Sequence, residues 1–264
     1  CLILGRPLDD GAAFRPLPRA DDRALARALV STALRWLPDL DRLIDGATPR
    51  PLPADSRARL ALRLALAGRL VLKTPMHAAI ATTLPLLEGG PRRLAHAILS
   101  RLDREGADLP PVPTLPEPWA PRWKTAHGLA FVEQAAAAQA AVPPTDLSLR
   151  NPADTTAWAA RLGGSSLAPG HVRLEGSVHV ESLPGFADGA WWVQDLAAQR
   201  PVDLLGDIAG LRILDVCAAP GGKTMQLASG GAMVTAIDRN ARRMERLAEN
   251  LARTGLGADQ VVAD

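Results

Sequence analysis

The sequence predicts a multidomain α and α/β protein in three parts: an all-α domain over residues 1–142, a small α+β connector over 143–205, and a parallel α/β domain over 206–264. Three observations predict it. Apolar residues between 20 and 105 recur at helical spacing. The pattern changes after Pro143-Pro144, where short alternating runs appear. From residue 211 onward, strand-like and helix-like segments alternate around a glycine-rich turn, which implies parallel pairing with right-handed crossovers.

The helical part is justified segment by segment. Leu25, Leu29 and Trp36 fall near one face of a helix. Leu60, Leu64, Gly68 and Val71 do the same, and Leu62, Leu66 and Leu70 fill another face of that segment. A helix apolar on most sides belongs inside a bundle. Thr74-Pro75 reads as a helix start, with Thr as N-cap and Pro at the first helical position. Leu94, Ile98 and Leu102 form a further stripe, flanked by Arg92, Arg93, Arg101 and Arg104. Those arginines either solvate the helix or contact RNA phosphates.

Residues 109–123, LPPVPTLPEPWAPRW, are too proline-rich for a helix, because each proline removes a donor and restricts its predecessor. They are expected as a stiff linker or a loop wrapped over the bundle. An alanine-rich helix is expected over 125–141, ended by Pro143-Pro144.

In the connector, residues 153–162 read as a short helix closed by Gly163-Gly164. Residues 171–175 and 178–182 alternate and are expected to pair as a hairpin through Gly176. Trp191-Trp192-Val193-Gln194-Asp195 follows, then a helix through Gln199. The last part gives a strand over 211–216, a helix over 223–228, a strand over 233–237, a helix over 241–254 and a strand over 260–263.

Composition narrows the function classes. The chain has 264 residues and 47% hydrophobic residues, enough for two cores. No run approaches the ~18 apolar residues of a membrane helix, so no membrane partner is expected. The two cysteines, Cys1 and Cys217, are too few for a disulfide framework or a zinc cluster. A cytoplasmic location is expected. The start, CLILGRPLDDG, has no initiator methionine and no signal-peptide pattern, so Cys1 reads as a point inside a longer product. Net charge is +2, which leaves room for a local basic face without requiring one. His77, His96, His127, His171 and His179 are scattered, none with helical ligand spacing beside an acid, so no metal is expected. His77, just after a helix start, is read as a capping or packing residue.

The segment that carries chemistry is LDVCAAPGGKT at 214–224, followed by AID at 236–238. In an open α/β sheet a nucleotide-like cofactor sits at the carboxyl ends of the strands. Gly221 and Gly222 allow close backbone approach, and the helix that follows offers free N–H groups. Asp238 ends the second strand, where an acid is placed to accept hydrogen bonds from ribose hydroxyls. Asp264 ends the third strand and can point into the same crevice. GGKT invites a phosphate-binding P-loop, but that motif needs Gly six residues before the Lys, and Cys217 stands there. A nicotinamide fingerprint is absent as well. The bland alternative is a tight strand-to-helix turn.

LDVCAAPGGKTMQLA resembles the first motif of the Sun/RsmB family of ribosomal RNA cytosine-5 methyltransferases, and LPGFADGAWWVQDLAAQ resembles the signature just upstream of it. DRALARALV and LKTPMHAAI resemble that family's NusB-like helical RNA-binding domain. The similarity runs over nearly the whole chain. It implies a NusB-like domain, a connector and an incomplete Rossmann-like S-adenosylmethionine methyltransferase domain. It further implies that Cys217, Ala218, Ala219, Pro220, Gly221, Gly222 and Lys223 wrap the methionine and ribose portion of S-adenosyl-L-methionine, that Asp238 binds the ribose hydroxyls, and that Asp264 contacts the adenine.

The expected partner is ribosomal RNA. The expected reaction is methylation of cytosine carbon 5, in which a thiol adds to carbon 6 before carbon 5 takes the methyl group. In the family that thiol lies on a later strand, so no residue of 1–264 is expected to be the nucleophile, and this stretch alone is expected not to turn over. Cys217 is read instead as a small residue packed at the turn. Trp191 and Trp192 could stack on RNA bases, although core packing is expected of at least one. The full-length protein is expected to be a monomer, and this shorter chain to associate through an open sheet edge. The competing reading is a non-catalytic NusB-like RNA-binding module, separable by its lack of cofactor affinity.

Overall fold

The computed structural model describes residues 20–176 and 178–264. Cys1 and the reading made of the chain's start lie outside them. The chain divides into two compact units, Cys1–Ala141 and Val142–Asp264.

In the first unit the α-helices among the described residues are α1 (Ala20–Arg35), α2 (Leu37–Gly46), α3 (Arg57–Leu70), α4 (Met76–Thr83), α5 (Gly89–Arg104), α6 (Trp119–His127) and α7 (Leu129–Ala140). The two-faced apolar pattern makes α3 the centre. It is buried from Ala58 to Arg63 and again from Ala65 to Gly68. Ala33 and Trp36 of α1, Leu40 and Ile44 of α2, and Ile98, Leu99 and Leu102 of α5 pack in the same core. Each buried leucine or isoleucine there contributes on the order of 2 kcal/mol. Ser56 starts α3 by accepting the Arg59 N–H. Of the residues grouped on one helix face, Trp36 is buried and Leu25 is exposed.

Two arginines sit inside this helix face, where burial of an unpaired charge is not tolerated. Arg63 forks onto Asp41 with two contacts of 2.8 Å. Arg59 donates to the Leu52 carbonyl at 2.9 Å and pairs with Asp41 and Asp45. Both acids lie on α2, so the ion pairs lock α2 to α3.

Three helix expectations are corrected. Thr74 does not cap α4: Pro75 is the N-cap and no side chain caps the helix, while the Thr74 N–H donates to the Gly68 carbonyl at 2.9 Å. The proline-rich stretch is helical from Trp119, because Pro121 falls in the first turn, where its missing N–H leaves no bond unmade. The alanine-rich helix is not continuous from 125 to 141. Gly128, at φ +85°, separates α6 from α7, which ends at Ala140. Upstream of α6 the stretch does wrap over the bundle: buried Asp39 accepts both the backbone N–H and the hydroxyl of Thr114 at 2.7 Å.

The second unit holds two sheets. In the first, β1 (Thr145–Leu149) is central and pairs antiparallel with β2 (His171–Leu174) and β3 (Trp191–Val193). The short helix α8 (Thr155–Leu162) ends on left-handed Gly163, as its sequence requires. The expected hairpin does not form. Residues Val180–Ser182 are a short 3-10 turn, and β2 takes as its partner β1, a strand that sequence reading missed. Trp191 and Trp192 are both buried, on opposite faces of β3. Trp191 packs with Leu147, Leu149 and Val172; Trp192 packs with Ala218, Met225 and Leu247. Neither is available to stack on a base.

The helix α9 (Leu196–Asp203) leads to the second sheet, which is parallel in the order β4 (Arg212–Val216), β5 (Met233–Asp238), β6 (Asp259–Val262). Between these strands run α10 (Gly222–Ser229) and α11 (Ala241–Thr254). Val234 and Ala236 of β5 are buried, whereas Leu214, Val216, Met233 and Val262 remain exposed.

Candidate functional site

The turn from β4 into α10 is fixed by its own backbone. Cys217 has φ +61°, unusual for a residue with a β-carbon. The Ala218 N–H bonds to Ile237 of β5 at 3.0 Å, and the Gly221 N–H turns back to Ala218 at 2.8 Å. Gly221 has φ +105°, and a β-carbon there would stand 3.2 Å from Leu247 of α11, so both conformation and space call for glycine. The Ala219–Pro220 peptide is cis.

Side chains brace the loop from behind. Thr224, fully buried at the start of α10, donates to Asp215 of β4 at 2.6 Å. Asn250 of α11 donates to the Pro220 carbonyl at 2.9 Å, and Arg243 donates to the Ala219 carbonyl. Asp238 accepts the Ala219 N–H at 3.2 Å and the Asn240 N–H at 3.0 Å, with Arg243 at 3.5 Å from its carboxylate.

In front of the loop lies a cavity of about 370 Å³. Cys217, Ala218, Ala219, Pro220, Gly222 and Lys223 line it, together with Val193, Gln194, Asp195, Ala198, Asp215 and Val216. Six of the nine residues singled out in the sequence therefore meet at one cavity. Gly221 shapes the turn from within. Asp238 is buried and engaged by the loop, not among the lining residues. Asp264 follows β6, which ends at Val262, and is exposed away from the lining.

Cys217 is exposed, which corrects its reading as a packed small hydrophobe. His77 is exposed on α4, not packed. Among the described residues no cluster of acids, histidines or cysteines could hold a metal. No helix described is long and apolar enough to cross a membrane.

Sequence reasoning missed the far wall of the cavity. Asp195 caps α9 by accepting the Ala197 N–H at 2.7 Å. Gln194 is buried beside it, its side chain 3.5 Å from where a β-carbon on Gly222 would stand. Both lie in the VQDLAAQ segment next to the tryptophan pair. The available signal was a polar Gln-Asp pair, Gln194-Asp195, directly after the apolar run Trp191-Trp192-Val193.

A second group of ionisable residues lies in the antiparallel sheet. Asp146 of β1 accepts both Nε and Nη2 of Arg173 at 2.7 and 2.8 Å and the Leu196 N–H at 3.1 Å. The Arg173 hydrogen bonds, opposed by burial and reinforced by Leu196 and His171, hold its carboxyl down to a pKa of about 2.

Comparison with known proteins bears on both units. Residues 6–88 match the NusB family, and residues 204–264 match the 16S rRNA methyltransferase RsmB/F family. The ribosomal RNA small subunit methyltransferase B of Pseudomonas putida is 34% identical over 266 residues, which is 92% of this chain and 61% of that protein. The protein of the same name from Xanthomonas campestris is 36% identical, over 88% of this chain and 57% of its own length. The chain thus spans about three fifths of the length of these relatives. The crystal structure of PH0851 has the same fold, with a TM-score of 0.68 at 19% identity, over 94% of this chain and 62% of that one.

Proposed function

We propose, from the premise that this chain belongs to the 16S rRNA methyltransferase RsmB/F family at residues 204–264 and to the NusB family at 6–88, that the protein methylates carbon 5 of cytosine in ribosomal RNA with S-adenosyl-L-methionine as methyl donor. The observation that carries the cofactor half is the convergence of Cys217, Ala218, Ala219, Pro220, Gly222 and Lys223 on one cavity at the carboxyl end of β4.

The residues present suit the cofactor's chemistry. Its amino-acid end carries a carboxylate and an ammonium. The first-turn N–H groups of α10, with Lys223, suit the carboxylate. Asp195 and Asp215 line the same cavity and suit the ammonium. When bound, the cofactor supplies an electrophilic methyl group on its sulfonium. The chain's own contribution is to hold that group: Gly221 and Gly222 keep the loop close, and Asp238 fixes the loop through the Ala219 N–H. Asp238 is assigned the ribose hydroxyls and Asp264 the adenine on family resemblance. The thiol nucleophile is assigned to the family's later strand, outside 1–264. The domain division proposed is 1–142 for RNA binding, 143–205 as connector and 206–264 as an incomplete Rossmann-like methyltransferase portion. On α5, Arg92, Arg93 and Arg104 are exposed and available to phosphates, whereas exposed Arg101 is paired with Glu105 at 2.8 Å.

Titrating this chain with S-adenosylmethionine beside its Asp238→Ala variant tests the cofactor half. Micromolar binding lost in the variant supports it, and a folded wild-type chain with no affinity counts against it. Incubating the whole protein with cofactor and small-subunit ribosomal RNA, then analysing nucleosides, tests the rest. 5-Methylcytidine is expected, and methylation at any other atom overturns the assignment.

A further inference from the structure

We infer that Gln194 is a positioning residue for the cofactor cavity, acting through a directed chain of side-chain amides that sets the first turn of α10. The inference rests on the reading of that cavity as the S-adenosylmethionine site. Gln194 is buried, and all four hydrogen-bonding positions of its amide are used. Its Oε1 accepts the Trp192 indole N–H at 2.7 Å and the Ser148 hydroxyl at 2.9 Å. Its Nε2 donates to Gln226 Oε1 at 2.9 Å and to the Ala198 carbonyl at 3.3 Å. Gln226 Nε2 in turn donates to Asp203 at 2.9 Å and to the Gln199 carbonyl at 3.2 Å.

The direction of this relay is forced at both ends. An indole N–H can only donate, so the Gln194 oxygen must face Trp192. A backbone carbonyl and a carboxylate can only accept, so the Gln226 nitrogen must face Gln199 and Asp203. Oxygen of one amide then meets nitrogen of the other with no alternative arrangement. The relay joins β1 and β3 to α9 and α10 at the point where the Gln194 side chain lies against Gly222. A fully satisfied network whose centre, Gln194, is buried fixes one geometry there and is costly to break in part. A role confined to holding the core does not require the residue to line the cavity, yet Gln194 does so beside Lys223.

The test uses Gln194→Glu and Gln194→Met in calorimetric titration with S-adenosylmethionine, each at pH 5 to 7 and expressed as a ratio to wild type. At position 194 an ionised carboxylate would turn an acceptor toward Gln226 Oε1 and the Ala198 carbonyl. A protonated carboxyl restores the donor. The carboxylates of Asp195, Asp203 and Asp215 raise its pKa, and Lys223 lowers it; none is removed in either variant. The carboxyl is competent below its raised pKa and loses function above it. Affinity of the Glu variant is therefore expected to be at least about tenfold weaker than wild type at pH 7 and to recover toward pH 5. The Met variant is expected to stay weak at both. Thermal melts confirm that each protein is folded at the titration temperature, and Gln226→Met, which cuts the relay from its half-buried end, replaces any position-194 variant that is not. Wild-type binding with all variants within twofold of it overturns the positioning role alone. A folded wild type that does not bind overturns the cofactor reading and this role with it.

Discussion

The carboxylate of Asp238, at the end of β5, accepts the backbone N–H of Ala219 at 3.2 Å, so the acid of one strand holds the loop that leaves its neighbour. Asp238→Ala removes that acceptor and leaves the buried Ala219 N–H and the half-buried Asn240 N–H without a partner. We expect a loss of stability of about 1–3 kcal/mol, read by urea unfolding, together with loss of S-adenosylmethionine affinity. Retained affinity at unchanged stability would show that the acid does nothing for the loop.

Gly221→Ala forces a β-carbon onto a left-handed position and toward Leu247 at 3.2 Å. The strain should cost about 1–3 kcal/mol. The affinity for cofactor should fall further than for a substitution at exposed Pro220, and parallel calorimetric titrations of the two variants check this.

Gly189→Ala is expected to be far more damaging than Gly176→Ala. Both glycines have positive φ, but a β-carbon at 189 would stand 2.1 Å from the Arg253 carbonyl and 2.5 Å from Thr254 Cα, whereas nothing lies within 4 Å at 176. At 176 only the left-handed strain applies, about 1 kcal/mol. At 189 the backbone at the end of α11 must move. A comparison of melting temperatures decides it, and equal losses would contradict the close packing of α11 on the loop before β3.

The Asp146–Arg173 pair should make stability depend on pH. The folded carboxyl titrates at about 2, below its ordinary value near 3.8, chiefly through the Arg173 hydrogen bonds. A depressed pKa contributes stability that is fully present above the unfolded value and lost as pH falls from about 4 to 2. The contribution is about 2 kcal/mol at neutral pH. Asp146→Asn should be less stable than wild type at pH 7 and should converge on it near pH 2, as followed by denaturant titration at stepped pH.

Arg59→Ala should destabilise the helical unit by about 3 kcal/mol, because it strips buried partners from Asp41 and Asp45 and leaves the Leu52 carbonyl without its donor. An exposed arginine such as Arg92 should be worth under about 0.5 kcal/mol when replaced by alanine. Similar losses at the two sites would overturn the structural role of the α2–α3 ion pairs.

Periodicity by itself determined where most helices lie and that α3 is central, since a helix apolar on two faces has nowhere to go but inside. The glycine pair, the strand before it and the acid after the next strand likewise marked the β4–α10 turn, because those constraints are local in the chain. Local rules also misled. Prolines between 109 and 123 hid the start of α6, since a proline in a first turn forgoes no hydrogen bond. Gly128 broke a helix that alanine content alone had drawn as continuous. Tertiary structure decided the rest, for long-range reasons. The partner of β2 is β1, and no turn signal announces a strand pairing that spans a helix. Both tryptophans of β3 are buried because the strand is covered on its two faces by different cores. Asp238 faces the loop, and Gln194 closes the cavity through hydrogen bonds to residues 32 and 46 positions away. Contacts of that range depend on where the chain returns in space, which composition and spacing do not encode.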